Sequence, residues 1–311
     1  MKNKSHIALF VLVAGLAVKA WADGSEMTKW PITIAALFLG ISVLFGKYFA
    51  ERTLWTSLFL TIPILGVATI VVADQYGWWF PENVSSYGDD IDRLFNLIMW
   101  MVAVTFVLTE VLLVYCIFIY SKKTDAKATY SHGNHTLEMV WTAIPALLLV
   151  FIAFSQMGAW SNIKIDMPDG SEPGHPYSPE RPFAEVYGSQ FDWRIRYPDA
   201  EGNFDGADVV ESPYDMYVPV DTKVVIRLKS RDVLHSFFIP NFRLKQDAVP
   251  GMEIPVWFEA EKTGSYDLIC AELCGWGHYK MAGKIHVLPK DEYEAWMQGA
   301  RAALYTNGSE D

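Results

Sequence analysis

Hydrophobic and polar residues divide the chain into two unlike halves. In the first half, largely apolar runs cover residues 6–22, 30–49, 54–73, 94–120 and 137–160. A helix that spans a bilayer needs about 20 mostly apolar residues, so each run predicts a membrane helix. The first run follows Lys2 and Lys4 and ends in Ala20-Trp21-Ala22. Because that pattern is typical of a secretory signal peptide, residues 1–22 are either a cleaved signal or a first membrane helix.

Charges in the short loops predict the orientation of these helices. The loop 74–92 is acidic, whereas the loops on either side of it along the chain carry cations at Lys47, Arg52, Lys122, Lys123 and Lys127. Since lysine and arginine favour the cytoplasmic side, the acidic loop and everything after residue 160 should lie outside the cytoplasm. We therefore predict a multi-pass protein of a bacterial-type inner membrane, with its C-terminal region on the periplasmic side.

The second half is polar and rich in turns. Residues 168–182 contain many Pro, Gly and Ser residues and predict a linker. Apolar and polar residues then alternate in short runs, as they do in half-buried antiparallel strands. Such runs occur at residues 184–186, 193–197, 216–220, 223–228, 256–259, 265–269 and 284–288, and a helical pattern follows from residue 290 to about 304. The pattern favours membrane helices followed by an all-β sandwich or small barrel.

The net charge of −11 lies almost entirely in the polar half, where residues 161–311 hold 25 acidic and 15 basic side chains. An acidic surface argues against nucleic acid as a partner. It suits a basic protein partner, because complementary fields raise encounter rates. The alternative is that the acidity only keeps the domain soluble.

Soft metal-binding residues cluster in the polar half. Two thiols, an imidazole and a thioether fall within the twelve residues CAELCGWGHYKM, as Cys270, Cys274, His278 and Met281, and His235 follows a predicted strand upstream. Thiolate, imidazole and thioether together select copper. We expect two copper ions bridged by both sulfurs, with one histidine on each and with Met281 and the Glu272 carbonyl at the weaker positions.

Two other kinds of site fit part of this pattern. Cys270 and Cys274 could form a disulfide in an oxidising compartment. Zinc would accept two cysteines and two histidines but leaves Met281 without a role. The third cysteine, Cys116, lies in an apolar run, where a lone thiol usually packs as a small hydrophobe. The chain contains no Cys-x-x-Cys-His and so carries no covalent c-type haem.

Two carboxylates fall in or beside the apolar runs. Glu110 lies inside the fourth run, where it either hydrogen-bonds to a neighbouring helix or faces a proton path. Glu138 opens the last run, where a helix N-terminus favours a negative charge and where a proton path is the alternative. Pro145 is expected to kink that last helix.

These motifs resemble subunit II of haem–copper cytochrome c oxidases. The resemblance covers about residues 91–298 and includes CAELCGWGHYKM, the segment DVLHSFFIPNFRLKQDAVPG at residues 232–251 and LEMVWTAIP at residues 137–145. It implies a cupredoxin-like domain that holds a binuclear CuA centre. The implied copper ligands are His235, Cys270, Glu272 through its carbonyl, Cys274, His278 and Met281. It also implies that the Glu272 carboxylate meets a Mg²⁺ shared with subunit I and that Glu138 lies at the mouth of a proton channel.

The resemblance implies a function within a larger complex. Electrons would pass from cytochrome c, soluble or membrane-tethered, to the copper centre and then to haem in subunit I, where oxygen is reduced to water with proton pumping. Subunits I and III and membrane lipid are the implied partners. The enzyme would be the complex, since this chain has no oxygen-reducing site and no haem of its own.

The implied organisation is a possible signal at 1–22, additional membrane helices at 23–90, a two-helix anchor at 91–160, a linker at 161–182, the CuA domain at 183–290 and a C-terminal helix and tail at 291–311. The additional helices depart from the two-helix anchor usual in the family. So does Phe191, which stands directly after Gln190 where the family places a tryptophan that accepts electrons. Electron input would therefore use Phe191, Trp193 or another route.

Three rival functions remain at this point. One is an assembly subunit of a quinol oxidase that has lost its copper ligands, which the six intact ligand positions oppose. Another is a nitrogen-oxide reductase with the same centre, which Glu138 and the lack of a fused catalytic domain oppose. The third is a copper-delivery protein, whose cysteine and methionine set is usually simpler.

Overall fold

The structure is a computed structural model that describes residues 59, 61–66, 68–70, 72–73, 76–120, 127 and 129–307. The predicted helices at 6–22 and 30–49 lie outside the described residues, as do the suggested cleavage after residue 22 and the loop cations at positions 47, 52, 122 and 123. Every described residue from 59 to 73, within the third predicted run, is helical.

Two long helices contain the fourth and fifth apolar runs. Helix α1 spans Gly88–Tyr120 and helix α2 spans His135–Lys164. Their most apolar stretches have mean hydropathies of 2.5 and 2.2. At about 1.5 Å per residue, 33 and 30 residues exceed the roughly 30 Å hydrocarbon core of a bilayer. By length and composition both helices can cross a membrane, as predicted.

Polar residues mark where each helix begins. The first turn of α1 carries Asp89 and Asp90, whose negative charges are favourable at the positive end of the helix dipole. Before α2, the side-chain Oδ1 of Asn134 accepts a hydrogen bond from the Leu137 N–H at 3.1 Å and so satisfies one of the free donors of the first turn. Both helices therefore start outside their apolar stretches.

The β-domain contains ten strands among the residues that the structure describes. They are β1 Ala184–Ser189, β2 Asp192–Tyr197, β3 Val210–Pro213, β4 Met216–Pro219, β5 Lys223–Ser230, β6 His235–Ile239, β7 Leu244–Ala248, β8 Ile254–Glu259, β9 Gly264–Cys270 and β10 Ala282–Leu288. Short 3-10 helices lie at Pro240–Phe242 and His278–Lys280, and helix α3 spans Lys290–Asn307.

The strands form two five-stranded sheets, in the orders β3-β2-β1-β5-β8 and β4-β10-β9-β6-β7. Neighbouring strands are antiparallel except for the pairs β1–β5 and β10–β4. The alternation in β2 shows why a sheet forms here: Trp193, Ile195 and Tyr197 are fully buried, and the residues between them are partly exposed. Two half-buried sheets share one core, which confirms the predicted class of membrane helices followed by an all-β cupredoxin-like domain.

Residues just before α1 pack on the β-domain. Val84, Ser85 and Tyr87 are buried, and Ser85 forms a β-bridge with Ala260. Contacts accordingly place Phe80–Phe95 in one compact unit with Ile144–Asp311. Residues 80–92 of the predicted acidic loop therefore belong to the same unit as the β-domain, as expected if both lie on one side of a membrane.

An ion pair fixes the start of α1 to the β-domain. The Arg243 guanidinium contacts both carboxylate oxygens of Asp92, at 2.7 and 2.9 Å, and donates to the Pro240 and Pro81 carbonyls. Arg243 is largely buried and lies over the ring of Phe80. Because all three guanidinium nitrogens donate hydrogen bonds, removing either charge should leave the other poorly satisfied.

Helix α3 covers the edge of the core and contains the residues for which the sequence predicts a helix. Tyr293, Trp296, Met297 and Ala300 pack against the buried cluster. Trp296 stacks on Tyr217 of β4 with ring centroids 4.2 Å apart. Trp296, Met297 and Ala300 lie three, four and seven positions after Tyr293, which is the spacing of one helix face.

Candidate metal centre

The predicted copper ligands lie at one end of the second sheet, where β6, β9 and β10 are neighbours. Phe237 of β6 pairs with Cys270, the last residue of β9, so His235 reaches past the end of β9. Residues 271–281, which we call the ligand loop, connect β9 to β10. The Cys270 N–H donates to the Met281 carbonyl at 3.0 Å and closes the base of this loop. The ordinary pairing of strands therefore brings both ends of the loop beside His235.

All six predicted ligand groups come together. The metal-binding atoms of His235, Cys270 and Cys274 lie within 4.8 Å of one another. Around the two sulfurs lie the Glu272 carbonyl oxygen, 3.2 Å from Cys270 Sγ, the His278 Nδ1, 3.7 Å from Cys274 Sγ, and the Met281 Sδ, 3.8 Å from Cys274 Sγ. These ligands are separated by up to 46 residues in sequence, and only the fold places them together.

The two cysteines are not joined to each other. Their Sγ atoms are 3.9 Å apart and both thiols are free, whereas a disulfide bond is about 2.05 Å long. The separation is less than twice a metal–thiolate bond of about 2.3 Å. One ion can therefore contact both sulfurs without a change in the backbone, and the arrangement does not support the disulfide alternative.

The imidazole of His235 is held in a fixed orientation. His235 is fully buried, and its Nε2 lies 2.7 Å from Asp232 Oδ1. Its Nδ1 is buried and has no hydrogen-bond partner among the described residues. A buried polar atom without a partner costs about 1–3 kcal/mol, and a metal ion beside the sulfurs would remove that cost. The site therefore fits a soft metal ion better than it fits an empty core.

The two thiols have different acidities. Burial raises the pKa of the Cys270 thiol, but the neighbouring His235 imidazole and the backbone at Ser236 and Glu272 outweigh it and lower the pKa to about 6. For Cys274, burial and the negative charge of Cys270 both raise the pKa. The two sulfurs therefore do not ionise independently.

The donor set decides which metal the site suits. Met281 is buried, with its thioether directed at Cys274. Thioether and thiolate are soft ligands that select copper, whereas a tetrahedral zinc site has no use for the thioether. The predicted copper site is thus consistent with the arrangement of the side chains.

The two candidates for electron input lie in different environments. Trp193 is fully buried in the core, with its ring 6.1 Å from that of His235, so it cannot touch a docked protein. Phe191 is half-buried and lies against Trp276 of the ligand loop, with ring centroids 5.3 Å apart. Of the two, Phe191 is nearer the surface, although another ring partly covers it.

The carboxylates predicted to act in proton or magnesium chemistry lie in three different elements. Glu138 is exposed in the first turn of α2. Glu110 is partly buried in α1, and its Oε2 has no partner among the described residues. Glu272 is half-buried in the ligand loop, and its carbonyl faces Cys270.

Two family models match the chain over more than half of its length. The transmembrane domain of cytochrome c oxidase subunit II matches residues 73–158, and the periplasmic domain of the same subunit matches residues 190–287. The chain belongs to the cytochrome c oxidase subunit II family. The family assignment places the β-domain in the periplasm and the two long helices in the membrane.

Two members of the family are 28% and 30% identical to this chain over the aligned residues. The alternative cytochrome c oxidase subunit 2 of Bradyrhizobium diazoefficiens is 28% identical, over 77% of this chain and 90% of that protein. Cytochrome c oxidase subunit 2 of Cereibacter sphaeroides is 30% identical, over 74% and 82%. A crystal structure of the periplasmic domain of subunit II from Bradyrhizobium japonicum is 29% identical and covers 39% of this chain and 94% of that domain, with a TM-score of 0.35.

Sequence reasoning missed three residues that build the site of this subunit II. Asp232 orients His235 and also accepts a hydrogen bond from the Gln190 N–H. The Gln190 side-chain amide donates to the Cys274 carbonyl. Gly188 lies so close to the His235 ring that a Cβ there would be 2.9 Å from Cδ2. Only Asp232 carried a local signal, since it stands three residues before a predicted ligand.

Proposed function

We propose that this subunit II binds a binuclear copper centre through His235, Cys270, the Glu272 carbonyl, Cys274, His278 and Met281, and that it receives electrons there from cytochrome c. The observation that carries the proposal is the pair of free, buried sulfurs 3.9 Å apart beside an imidazole Nδ1 that has no other partner among the described residues. When bound, the centre would accept one electron at a time from the donor and release it to haem in subunit I, where oxygen is reduced to water with proton pumping.

The protein's own part in this function is to hold the ligands in place. His235 and Cys270 lie on adjacent strands, and the backbone bond from Cys270 to Met281 closes the ligand loop. Asp232 orients His235 as a second layer of hydrogen bonding. Ligands held this rigidly should move little when the charge of the centre changes, which favours fast electron transfer.

Copper content and spectroscopy test the proposal. The full-length chain, purified in detergent and loaded with copper, should retain two copper ions and show near-infrared absorption with an EPR signal delocalised over both. Cys274→Ser should lose that signal. Cys116→Ser, which changes the free cysteine of α1, should keep it. A wild-type chain that binds zinc or one isolated copper, or that forms a disulfide between Cys270 and Cys274, would contradict the proposal.

The acidic surface of the domain supports a basic donor. Residues 161–311 hold 25 acidic against 15 basic side chains, and such a field should steer a basic cytochrome c toward the periplasmic domain. The association rate should then fall as salt screens the field. If binding of a basic cytochrome c does not change with ionic strength, electrostatic docking is wrong.

Two carboxylates would serve the assembled complex. Glu138, exposed in the first turn of α2, is proposed to lie at the mouth of a proton channel formed with subunit I. Glu138→Gln should slow proton uptake in the reconstituted oxidase, while copper spectra stay unchanged. The Glu272 carboxylate is proposed to bind a Mg²⁺ shared with subunit I, and Mn²⁺ substituted there should give an EPR signal that Glu272→Gln alters.

A further inference from the structure

Three large apolar side chains of the ligand loop are exposed to solvent. Leu273, Trp276 and Tyr279 are 76%, 81% and 75% exposed, although each lies within two residues of a proposed ligand. A buried tryptophan or tyrosine removes about 150–250 Å² of surface from water, and these side chains forgo that gain. Exposed apolar side chains grouped in one segment commonly mark a contact with another protein.

Trp276 is the exposed residue whose position is fixed. Its ring meets Phe191 edge to face, with centroids 5.3 Å apart and an interplanar angle of 69°, and Phe191 itself packs against the core. Glycines flank Trp276 on both sides. A Cβ at Gly277 would lie 2.5 Å from Phe191 Cδ2, and one at Gly275 would lie 3.1 Å from Phe191 Cζ. The two glycines thus let the loop lie directly on the Phe191 ring.

The other tryptophans of the β-domain do not reach the surface in this way. Trp193 is fully buried, and Trp257 and Trp296 are partly buried against the core. Trp276 also stands midway between Cys274 and His278, two residues from each. Of the four tryptophans in the β-domain, Trp276 is therefore the one through which a docked protein could most closely approach the metal centre.

We propose that Trp276 is the central contact for the electron donor, a basic c-type cytochrome, and that Phe191 is the positioning residue beneath it. This inference rests on the proposed function of the metal centre. The acidic domain would attract the donor over a distance. The local contact would be apolar, because the nearest exposed charge in the loop is Lys280, which lies over the ring of Tyr279 with its Nζ 5.5 Å from the centroid.

The electron balance of the step is simple. One electron leaves the haem iron of the donor, which passes from ferrous to ferric, and the metal centre gains that electron. No bond forms or breaks, no proton moves, and Trp276 is unchanged at the end. The indole acts by shortening the gap that the electron crosses and by holding the two proteins in register.

Donor binding by the purified oxidase complex tests this role. Calorimetry with a basic mitochondrial-type cytochrome c should give a dissociation constant that rises about tenfold or more in Trp276→Ala, as for a central aromatic contact, and less in Trp276→Phe. The loss should appear as faster dissociation, while the salt dependence of association stays that of the wild type. Tyr305→Ala removes a 65% exposed aromatic residue of α3 and should leave binding unchanged.

A second measurement needs no variant. Oxidative footprinting of the wild-type complex should label the Trp276 indole in the free protein and show protection when cytochrome c is bound. Unchanged binding in Trp276→Ala together with an unprotected indole would overturn the inference, and the proposed function would stand if near-infrared and EPR signals persisted. A wild-type complex without those copper signals would overturn both.

Discussion

A single methyl group added at Gly188 should disturb the metal centre from the opposite sheet. Gly188 pairs with Trp193 in β2 and with Ser230 in β5, so its backbone is held on both sides. A Cβ there would lie 2.9, 3.0 and 3.2 Å from Cδ2, Cγ and Cβ of His235, whereas carbon atoms in contact prefer about 3.5–4.0 Å. His235 cannot easily retreat, because it is fully buried and held by Asp232.

The size of the effect of Gly188→Ala can be estimated from the strain that the added methyl group causes. Inserting a methyl group into a close-packed core costs about 1–3 kcal/mol. If the strain is relieved by moving the imidazole, metal binding must restore the strained position, and copper affinity should fall roughly 5- to 150-fold. If instead the sheet moves, the thermal midpoint falls and the affinity is kept. Chelator competition and thermal unfolding of the full-length chain together distinguish these responses.

Gly299→Ala supplies the matched control. Gly299 lies in α3, and a Cβ there would meet nothing within 4 Å, so the same substitution should stabilise the helix by about 0.5–1 kcal/mol and leave copper affinity unchanged. Should Gly188→Ala match this control in both affinity and midpoint, the close approach between β1 and His235 would not constrain the site.

Three further substitutions test other parts of the molecule. Arg243→Ala leaves Asp92, which is 25% exposed, without its partner and should lower the free energy of unfolding by about 1.5–3 kcal/mol, seen as an earlier thermal transition. An unchanged transition would show that the pair does not stabilise the fold. Burial raises the pKa of Glu185, but hydrogen bonds from Lys229 and Tyr187 outweigh it and lower the pKa. The ionised Glu185 therefore stabilises the fold above the ordinary glutamate pKa of about 4.3, and this contribution is lost as pH falls through the folded pKa. Glu185→Gln should be less stable than wild type at neutral pH, and the difference in the free energy of unfolding should shrink in acid. Asp232→Asn should weaken copper binding about 10- to 100-fold in chelator competition, whereas retained affinity would show that the carboxylate does not orient the ligand.

Strands with strict alternation could be predicted from the sequence, and others could not. In β2 every second side chain is buried, so the alternation of apolar and polar residues in the sequence was enough to predict the strand. Strand β6 is central, with three consecutive buried residues at its start, and β7 reads Leu-Lys-Gln-Asp-Ala, which has little apolar character. The short edge strand β3 ends at Pro213. Pairing with neighbours, rather than local pattern, makes these segments strands.

In the metal centre, too, some residues could be predicted from the local sequence and others are brought together only by the fold. Residue types and spacing within the ligand loop were enough to predict a soft metal site, because ligand chemistry is local. Apart from Asp232, the residues that orient the ligands are distant in sequence: Gln190 is 84 positions from Cys274. The contact of residues 84–87 with the β-domain was not predicted either, because Val84 and Tyr87 lie in a loop that the sequence distinguished only by its acidic residues. Such contacts depend on the tertiary fold and cannot be predicted from the spacing of residues along the chain.

Metal binding and oxidation should compete for the same two sulfurs. The two sulfurs are 3.9 Å apart and could both bind a metal ion at that separation, whereas a disulfide would draw them to about 2.05 Å. Because Cys270 is fixed at the end of β9 by its backbone bond to Met281, most of that movement would fall on Cys274 and on the Gln190 bond that holds it. Copper should therefore raise the thermal midpoint by mass action and protect the thiols from oxidation, and reduction should be required before an oxidised chain can be loaded. Copper uptake by the oxidised chain at the rate of the reduced one would show that the sulfurs are not the ligands.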